Sequence, residues 1–256
     1  MNFSPLKNTL YAKIRKFLFS QNINIERVRI PAEISKNDRD TIDKIKPFTM
    51  TTYERIYMLI KSVEYIIDRN IPGDFVECGV WRGGSVMAIA QTLKNLGVTD
   101  RKIWLYDTFD GMTEPSDLDF DWAGVFAKDV LLKQVKVDEK LNTHAFASIN
   151  AVRKNLSKID YDFDNFIFVV GDVRQTIIKK APKSISLLRL DTDWYDSTLV
   201  ELEQLFPLLN KNGILILDDF GQWAGSRKAA MEYFDSLETR YLMNIVDKGA
   251  RLIIKN

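Results

Sequence analysis

From residue 74 onward the chain alternates short apolar runs with longer stretches of helical spacing. Strands are predicted at residues 75–80, 103–106, 166–170, 185–190 and 214–217. Residues 241–246 and 251–254 flank an Asp247-Lys248-Gly249 turn and read as a closing hairpin. Between them, helices are predicted at 85–95, at 198–209 behind a Thr198/Glu201 capping box, and at 226–237. A further helix precedes the first strand. Thr51 with Glu54 forms its capping box, Ile56, Ile60, Val63 and Ile67 repeat on one face, and Ile71-Pro72-Gly73 ends it. Strands alternating with helices imply an α/β fold with a doubly wound, mostly parallel sheet, to which the hairpin adds one antiparallel strand, about seven in all.

Three stretches depart from this rhythm. The first thirty residues carry six Lys/Arg and one acid. Ser4-Pro5 reads as a helix start, and Leu10, Ile14, Phe17 and Leu18 share one helical face. Such a basic amphipathic helix packs on its own domain, on a second subunit or on a membrane surface. Residues 31–48 are polar, bounded by Pro31 and Pro47, and read as a connecting segment. Residues 111–150 are too long for a plain connection and hold an acidic aromatic stretch (Asp117, Asp119, Phe120, Asp121, Trp122). They are expected to form a mixed helical lid over the site.

Composition narrows the possibilities. The 256 residues are 46% hydrophobic and 11% aromatic, enough for a full core. Thirty-six Lys+Arg against 35 Asp+Glu argue against a globally basic nucleic-acid binder. No apolar run of about 18 residues exists, so no stable membrane insertion is expected. One cysteine and no recognisable leader make a reduced cytoplasmic setting the expectation. Cys78 and His144 are the only residues of their types, which excludes ordinary multi-Cys/His zinc sites within the chain.

Ligands of open α/β sheets bind beyond the carboxyl ends of the strands. The first strand runs into Glu77-Cys78-Gly79-Val80-Trp81-Arg82-Gly83-Gly84-Ser85. Its glycines suit a tight turn close to a ligand, and an acid inside an apolar strand needs a partner. Asp107 ends the second strand and could accept hydrogen bonds from ribose hydroxyls, while Asp172 ends the third and could reach an adenine amino group. Each acid taken singly also reads as a cap or turn residue. Asp191 and Asp193 follow the fourth strand, and Asp218-Asp219 the fifth. Carboxylates gathered at one crevice repel unless a cation lies between them, and all-oxygen ligation suits Mg²⁺. The alternative is that Asp218-Asp219 caps a solvated turn.

The segment from Pro72 to Gly84 closely resembles the glycine motif of the macrocin and mycinamicin O-methyltransferase family. The resemblance continues through Asp107-Thr108-Phe109-Asp110-Gly111, Leu188-Arg189-Leu190-Asp191-Thr192-Asp193-Trp194-Tyr195 and Gly213-Ile214-Leu215-Ile216-Leu217-Asp218-Asp219. It implies a Rossmann-like methyltransferase domain over residues 49–256, an N-terminal helical segment over 1–48 and an acceptor lid over 111–150. It also implies S-adenosylmethionine and Mg²⁺ as cofactors and a sugar hydroxyl on a small glycosylated molecule as acceptor. Thr49 and Met50 would close over the cofactor. Glu77, Gly79, Val80, Trp81, Arg82, Gly83 and Ser85 would hold its methionine portion, Asp107 and Thr108 the ribose, and Asp172 the adenine side. Asp191, Asp218 and Asp219 would bind Mg²⁺. Asp191, with Asp193 as substitute, would take the proton in an in-line methyl transfer, and His144 is a further candidate base. A homodimer or higher assembly is expected. Methylation of a catechol-like phenol, or binding of the cofactor without turnover, are the rival readings. Cys78 departs from the family's frequent Thr, and residues 111–150 do not track the family pattern.

Overall fold

The computed structural model describes residues 33–141 and 143–256, and Ser35–Asn256 form one compact unit. The amphipathic helix expected within the first thirty residues lies outside the described residues. Seven strands form one sheet: β1 (Asp74–Cys78), β2 (Ile103–Asp107), β3 (Phe166–Val170), β4 (Ile185–Leu190), β5 (Leu209–Leu217), β6 (Asn244–Ile245) and β7 (Arg251–Ile254). Their order is β3-β2-β1-β4-β5-β7-β6. The first five strands are mutually parallel, and β7 runs antiparallel between β5 and β6. The strand order reverses beside β1, where β4 pairs with its other edge, so the crevice lies above the ends of β1 and β4.

The helices are α1 (Lys36–Ile45), α2 (Tyr53–Asp68), α3 (Gly84–Asn95), α4 (Ala127–Leu132), α5 (Ile149–Leu156), α6 (Val173–Lys179), α7 (Tyr195–Leu205) and α8 (Ala224–Ser236). Helices α1 and α2 pack on α3, and α7 packs between α6 and α8. Side chains alternate across the sheet. Val76, Cys78, Leu188, Leu190, Leu215 and Leu217 join the buried cluster with Leu202, Leu205, Ala230 and Phe234 of α7 and α8. Their neighbours Glu77 and Arg189 therefore face the other way, toward α2.

Several boundaries move, each for a tertiary reason. The polar segment expected to be a connection contains α1, capped by Ser35, because Thr41, Ile42 and Ile45 bury one face. Thr52, not Thr51, caps α2 by accepting from the Arg55 amide. The Thr198/Glu201 box is not formed. Helix α7 starts three residues earlier than that box, and both side chains are buried within it. A single 3-10 turn at Phe206–Leu208 then lets β5 begin at Leu209, earlier than its apolar core suggests.

Residues 116–127 are docked rather than free. Asp119, only 1% exposed, accepts from the Ser116 amide, the Ser116 hydroxyl and the Tyr195 amide. The Ala224 amide donates to the Phe120 carbonyl, and Trp194 Nε1 donates to the Thr113 carbonyl. Trp194 and Trp223 pack edge-to-face at 5.0 Å, with Ala127, Met112 and Leu131 against them. No helix among the described residues is long and apolar enough to cross a membrane.

Candidate active site

A cavity of about 480 Å³ opens above the strand ends. The glycine loop builds one wall. Gly79 has φ +83°, and a Cβ there would come within 1.9 Å of the Asp191 carbonyl oxygen, so β1 passes the end of β4 only because this residue is glycine. A Cβ on Gly84 would meet Phe48 O and Thr49 Cβ at 2.6 Å, which brings the 48–50 turn onto the start of α3. Trp81 takes a left-handed conformation, φ +46°, although it has a Cβ. Asp107 holds this loop: Oδ2 accepts from the Val80 amide at 2.6 Å and the Trp81 amide at 3.1 Å, and Oδ1 accepts from the Phe109 amide at 2.7 Å. Burial raises the Asp107 pKa, and these amides pull it down.

Arg189 organises the floor. It is a cross-strand partner of Glu77, and its side chain is 2% exposed. Nη1 lies 2.5 Å from Glu77 Oε1 and 2.7 Å from Asp191 Oδ2, and Nη2 lies 2.7 Å from Asp218 Oδ1. Nη2 also donates to Thr51 Oγ1 at 3.2 Å. The other Asp218 oxygen meets Arg55 Nη1 at 2.5 Å, while Arg55 Nε reaches Asp247 Oδ2 at 2.8 Å. Helix α2, the end of β5 and the hairpin turn are thus tied together.

Among cavity-lining residues, Asp218 Oδ1 is buried with the Arg189 ion pair but no hydrogen bond, and Glu77 Oε2 and Trp81 Nε1 are buried with no hydrogen-bond partner at all. Such atoms are uncommon in folded proteins, and here they mark where a ligand's polar groups can bind. Burial pushes the Glu77 carboxyl up to about 8, with Arg189 pulling against it.

One oxygen from each of Asp191, Asp193 and Asp219 lies within 4.8 Å of the others. Asp193 holds a left-handed backbone, φ +66°, and its amide donates to Asp219 Oδ2. Burial raises the pKa values of all three. Arg189 opposes the rise at Asp191, and neighbouring carboxylates add to it at Asp219. Asp193 reaches about 7, with Asp191, Asp218 and Asp119 adding to the effect of burial. A cluster of mutually repelling oxygens with no nitrogen or sulfur donor fits a hard divalent cation.

Of the residues singled out from the sequence, Thr49, Met50, Glu77, Gly79, Val80, Trp81, Ser85, Asp107, Thr108, Asp191, Asp193, Asp218 and Asp219 line the cavity. Asp218, expected as a metal ligand, lies at the cavity and pairs with Arg55 and Arg189. Asp172 caps α6 and is clasped by Arg174, which lowers its pKa, so Gly171 and Val173 form the wall where Asp172 was expected. Arg82 pairs with Glu139 and stacks on Phe48, and Gly83 caps α3. His144 Nε2 sits 3.1 Å from the Gln134 carbonyl, while its neighbours Thr143 and Ala145 line the cavity. The sequence pattern pointed to no site role for Arg55, Arg189 or Trp223, and it marked Thr51 only as a helix cap. An arginine inside the apolar run Leu187–Leu190 was the available signal, because a buried guanidinium needs carboxylate partners.

The chain matches the family model for macrocin O-methyltransferase (TylF) over residues 2–252. It is 30% identical over 190 residues to demethyldecarbamoylnovobiocin O-methyltransferase of Streptomyces niveus, covering 72% of this chain and 67% of that one. It is 29% identical over 194 residues to mycinamicin III 3''-O-methyltransferase of Micromonospora griseorubida, covering 73% and 70%. The solved structure of the O-methyltransferase NovP superposes with a TM-score of 0.70 at 26% identity, covering 81% of this chain and 82% of that chain. The calicheamicin methyltransferase CalS11 shares the fold, with a TM-score of 0.58 at 17% identity over 89% and 94% of the two chains. With the cavity at the sheet's switch point and the family model matched along almost the whole chain, this protein belongs to the macrocin O-methyltransferase (TylF) family and is an O-methyltransferase.

Proposed function

We propose that this protein transfers the methyl group of S-adenosylmethionine to a sugar hydroxyl of a glycosylated natural product, with Mg²⁺ at the acidic cluster. One observation carries the reading. One cavity holds both the unpartnered Glu77 oxygen and the converging carboxylates, and Arg189 Nη1 contacts Glu77 and Asp191 together. The Glu77 oxygen suits the ammonium group of the methyl donor, and the carboxylates a hard cation. Relatives named for methylation of the novobiocin and mycinamicin scaffolds support the acceptor class.

The chain's own residues divide the work. Glu77, Trp81 and the glycine loop would bind the methionine end of the donor, Asp107 and Thr108 its ribose, and Thr49 and Met50 would cover it. Asp191 and Asp219 would hold the ion, which when bound lowers the pKa of an acceptor hydroxyl and orients it. Asp193 would take the acceptor proton, because its pKa of about 7 matches a base working at neutral pH. Asp191 is the alternative base, although one of its oxygens is engaged by Arg189 Nη1 at 2.7 Å. As the oxygen–methyl bond forms, the carbon–sulfur bond breaks with its electrons to sulfur, and the products are the methyl ether and S-adenosylhomocysteine. Alignment of both substrates in the closed cavity supplies much of the rate.

The test is label transfer from methyl-labelled S-adenosylmethionine to a panel of glycosylated natural products and a panel of catechols. Label in the sugar moiety supports the proposal, label confined to catechols reassigns the acceptor, and no transfer to either refutes it. Binding of Mn²⁺ to D193N and D218N decides which of these acids joins Asp191 and Asp219. Asp193 acting as base predicts a loss of kcat with near-normal Mn²⁺ affinity in D193N.

A further inference from the structure

The loop between Asp191 and Asp193 has an anchor on the far side of the sheet from Arg189. Glu201 lies in α7 and is 0% exposed. Its Oε1 accepts from Thr192 Oγ1 at 2.9 Å, across nine residues of chain. Its Oε2 is buried without a hydrogen-bond partner, and the Cys78 thiol abuts the same carboxyl. Burial raises the pKa of Glu201 well above the ordinary value. A polar group this deep in the apolar cluster is costly, and Leu202 and Leu205 beside it pack as α7 needs without it.

Thr192 is the residue this carboxyl holds, and it is the hinge of the acidic cluster. Its carbonyl accepts from the Trp194 amide at 2.8 Å and from Ser197 Oγ at 3.3 Å. The next residue, Asp193, sits at φ +66°, a conformation that persists in a non-glycine residue only when its surroundings hold it. The preceding one, Asp191, hangs from the Cys78 carbonyl through its amide and from Arg189 through its carboxylate. Thr192 thus carries a cluster carboxylate on either side.

We propose that Glu201 is a positioning residue which, through Thr192, holds the loop that carries the Asp191 carboxylate and so sets the cation affinity of the site. It touches neither substrate nor ion, since the cavity is lined by Thr192 and Ser197 rather than by Glu201. The inference rests on the cation reading given under Proposed function.

Mn²⁺ affinity by electron paramagnetic resonance on the full chain tests it, with S-adenosylhomocysteine affinity measured in parallel. E201A and T192V should each weaken Mn²⁺ about 10-fold or more, the range seen when groups that orient metal ligands are removed. The E201A/T192V double variant should be no weaker than the worse single, because both act through one contact. E201Q, whose amide oxygen still accepts from Thr192, should stay near wild type, and S-adenosylhomocysteine affinity should not change in any of them. Lowered melting temperature with wild-type Mn²⁺ affinity in T192V would overturn the proposal, as would losses in the two singles that multiply in the double. If E201A does not fold, T192V and E201Q decide alone. Wild-type protein whose Mn²⁺ binding is absent, or indifferent to D191N and D219N, refutes the cation reading and this inference with it.

Discussion

Glu77 and Arg189 are cross-strand partners whose charged atoms approach to 2.5 Å at the bottom of the cavity, with Asp191 on the same guanidinium nitrogen. Glu77 and the acidic cluster therefore share one buried positive charge. Glu77 faces α2 because its neighbours Val76 and Cys78 fill the opposite core.

Replacing that charge should be costly. R189M leaves Glu77, Asp191 and Asp218 without their common partner, and breaking a buried pair typically costs about 3–5 kcal/mol. Urea unfolding at neutral pH reads this directly. A loss below about 1 kcal/mol would show that the network does not hold the fold together.

The acidic cluster sets a pH dependence. Burial pushes Asp193 from an ordinary 3.8 to about 7 and Glu77 from 4.5 to about 8. Folded values above the unfolded ones mean that the folded state holds these protons more tightly. Their contribution to stability is complete below the ordinary values and disappears as pH rises through about 7 to 8. A divalent cation bound as proposed would replace protons in the cluster, so millimolar Mg²⁺ should raise the melting temperature more near pH 8 than near pH 6. An equal Mg²⁺ effect at both pH values counts against a cation at these carboxylates.

Cys78 offers a stabilising change. It is fully buried beside the Glu201 carboxyl, and a thiol is a weak donor. C78S places a hydroxyl there and should add about 0.5–1.5 kcal/mol, the usual net worth of a hydrogen bond. C78A, which adds no donor, should not stabilise. The pair of melting curves separates a hydrogen-bond effect from a change of size.

Asp119 clamps the insertion. D119A strips the partner from the Ser116 amide and hydroxyl and from the Tyr195 amide. Each buried donor left unpaired costs about 1–3 kcal/mol, paid mostly by local opening. Limited proteolysis should then cut within residues 116–141 while the sheet stays intact. A digestion pattern like that of wild type would mean that the Trp194–Trp223 contact and the Ala224–Phe120 and Trp194–Thr113 hydrogen bonds hold this segment without Asp119.

Local pattern alone determined much of this protein. Strands β3, β4 and β7 begin and end where the apolar runs do: β4 is buried on both faces, β3 is a continuous apolar run at the sheet edge, and β7 is a hairpin strand bounded by a turn, all written in neighbouring residues. The glycine loop was legible for the same reason: Gly79 and Gly84 are needed wherever backbone must pass close to backbone. Strand-end acids were legible as a set, since their positions follow from the strand ends.

Their partners were not. Thr51 resembles a helix cap as much as Thr52 does, and only the approach of Arg189, 138 residues away, draws its hydroxyl off. Thr198 and Glu201 have capping-box spacing, but packing on α8 starts the helix earlier and buries both. Asp218 and Asp219 are indistinguishable in sequence. Arg55, 163 residues from Asp218, holds that side chain, while Asp219 joins Asp191 and Asp193. Periodicity is a property of adjacent residues, whereas the charge a carboxylate meets depends on segments that only folding brings together.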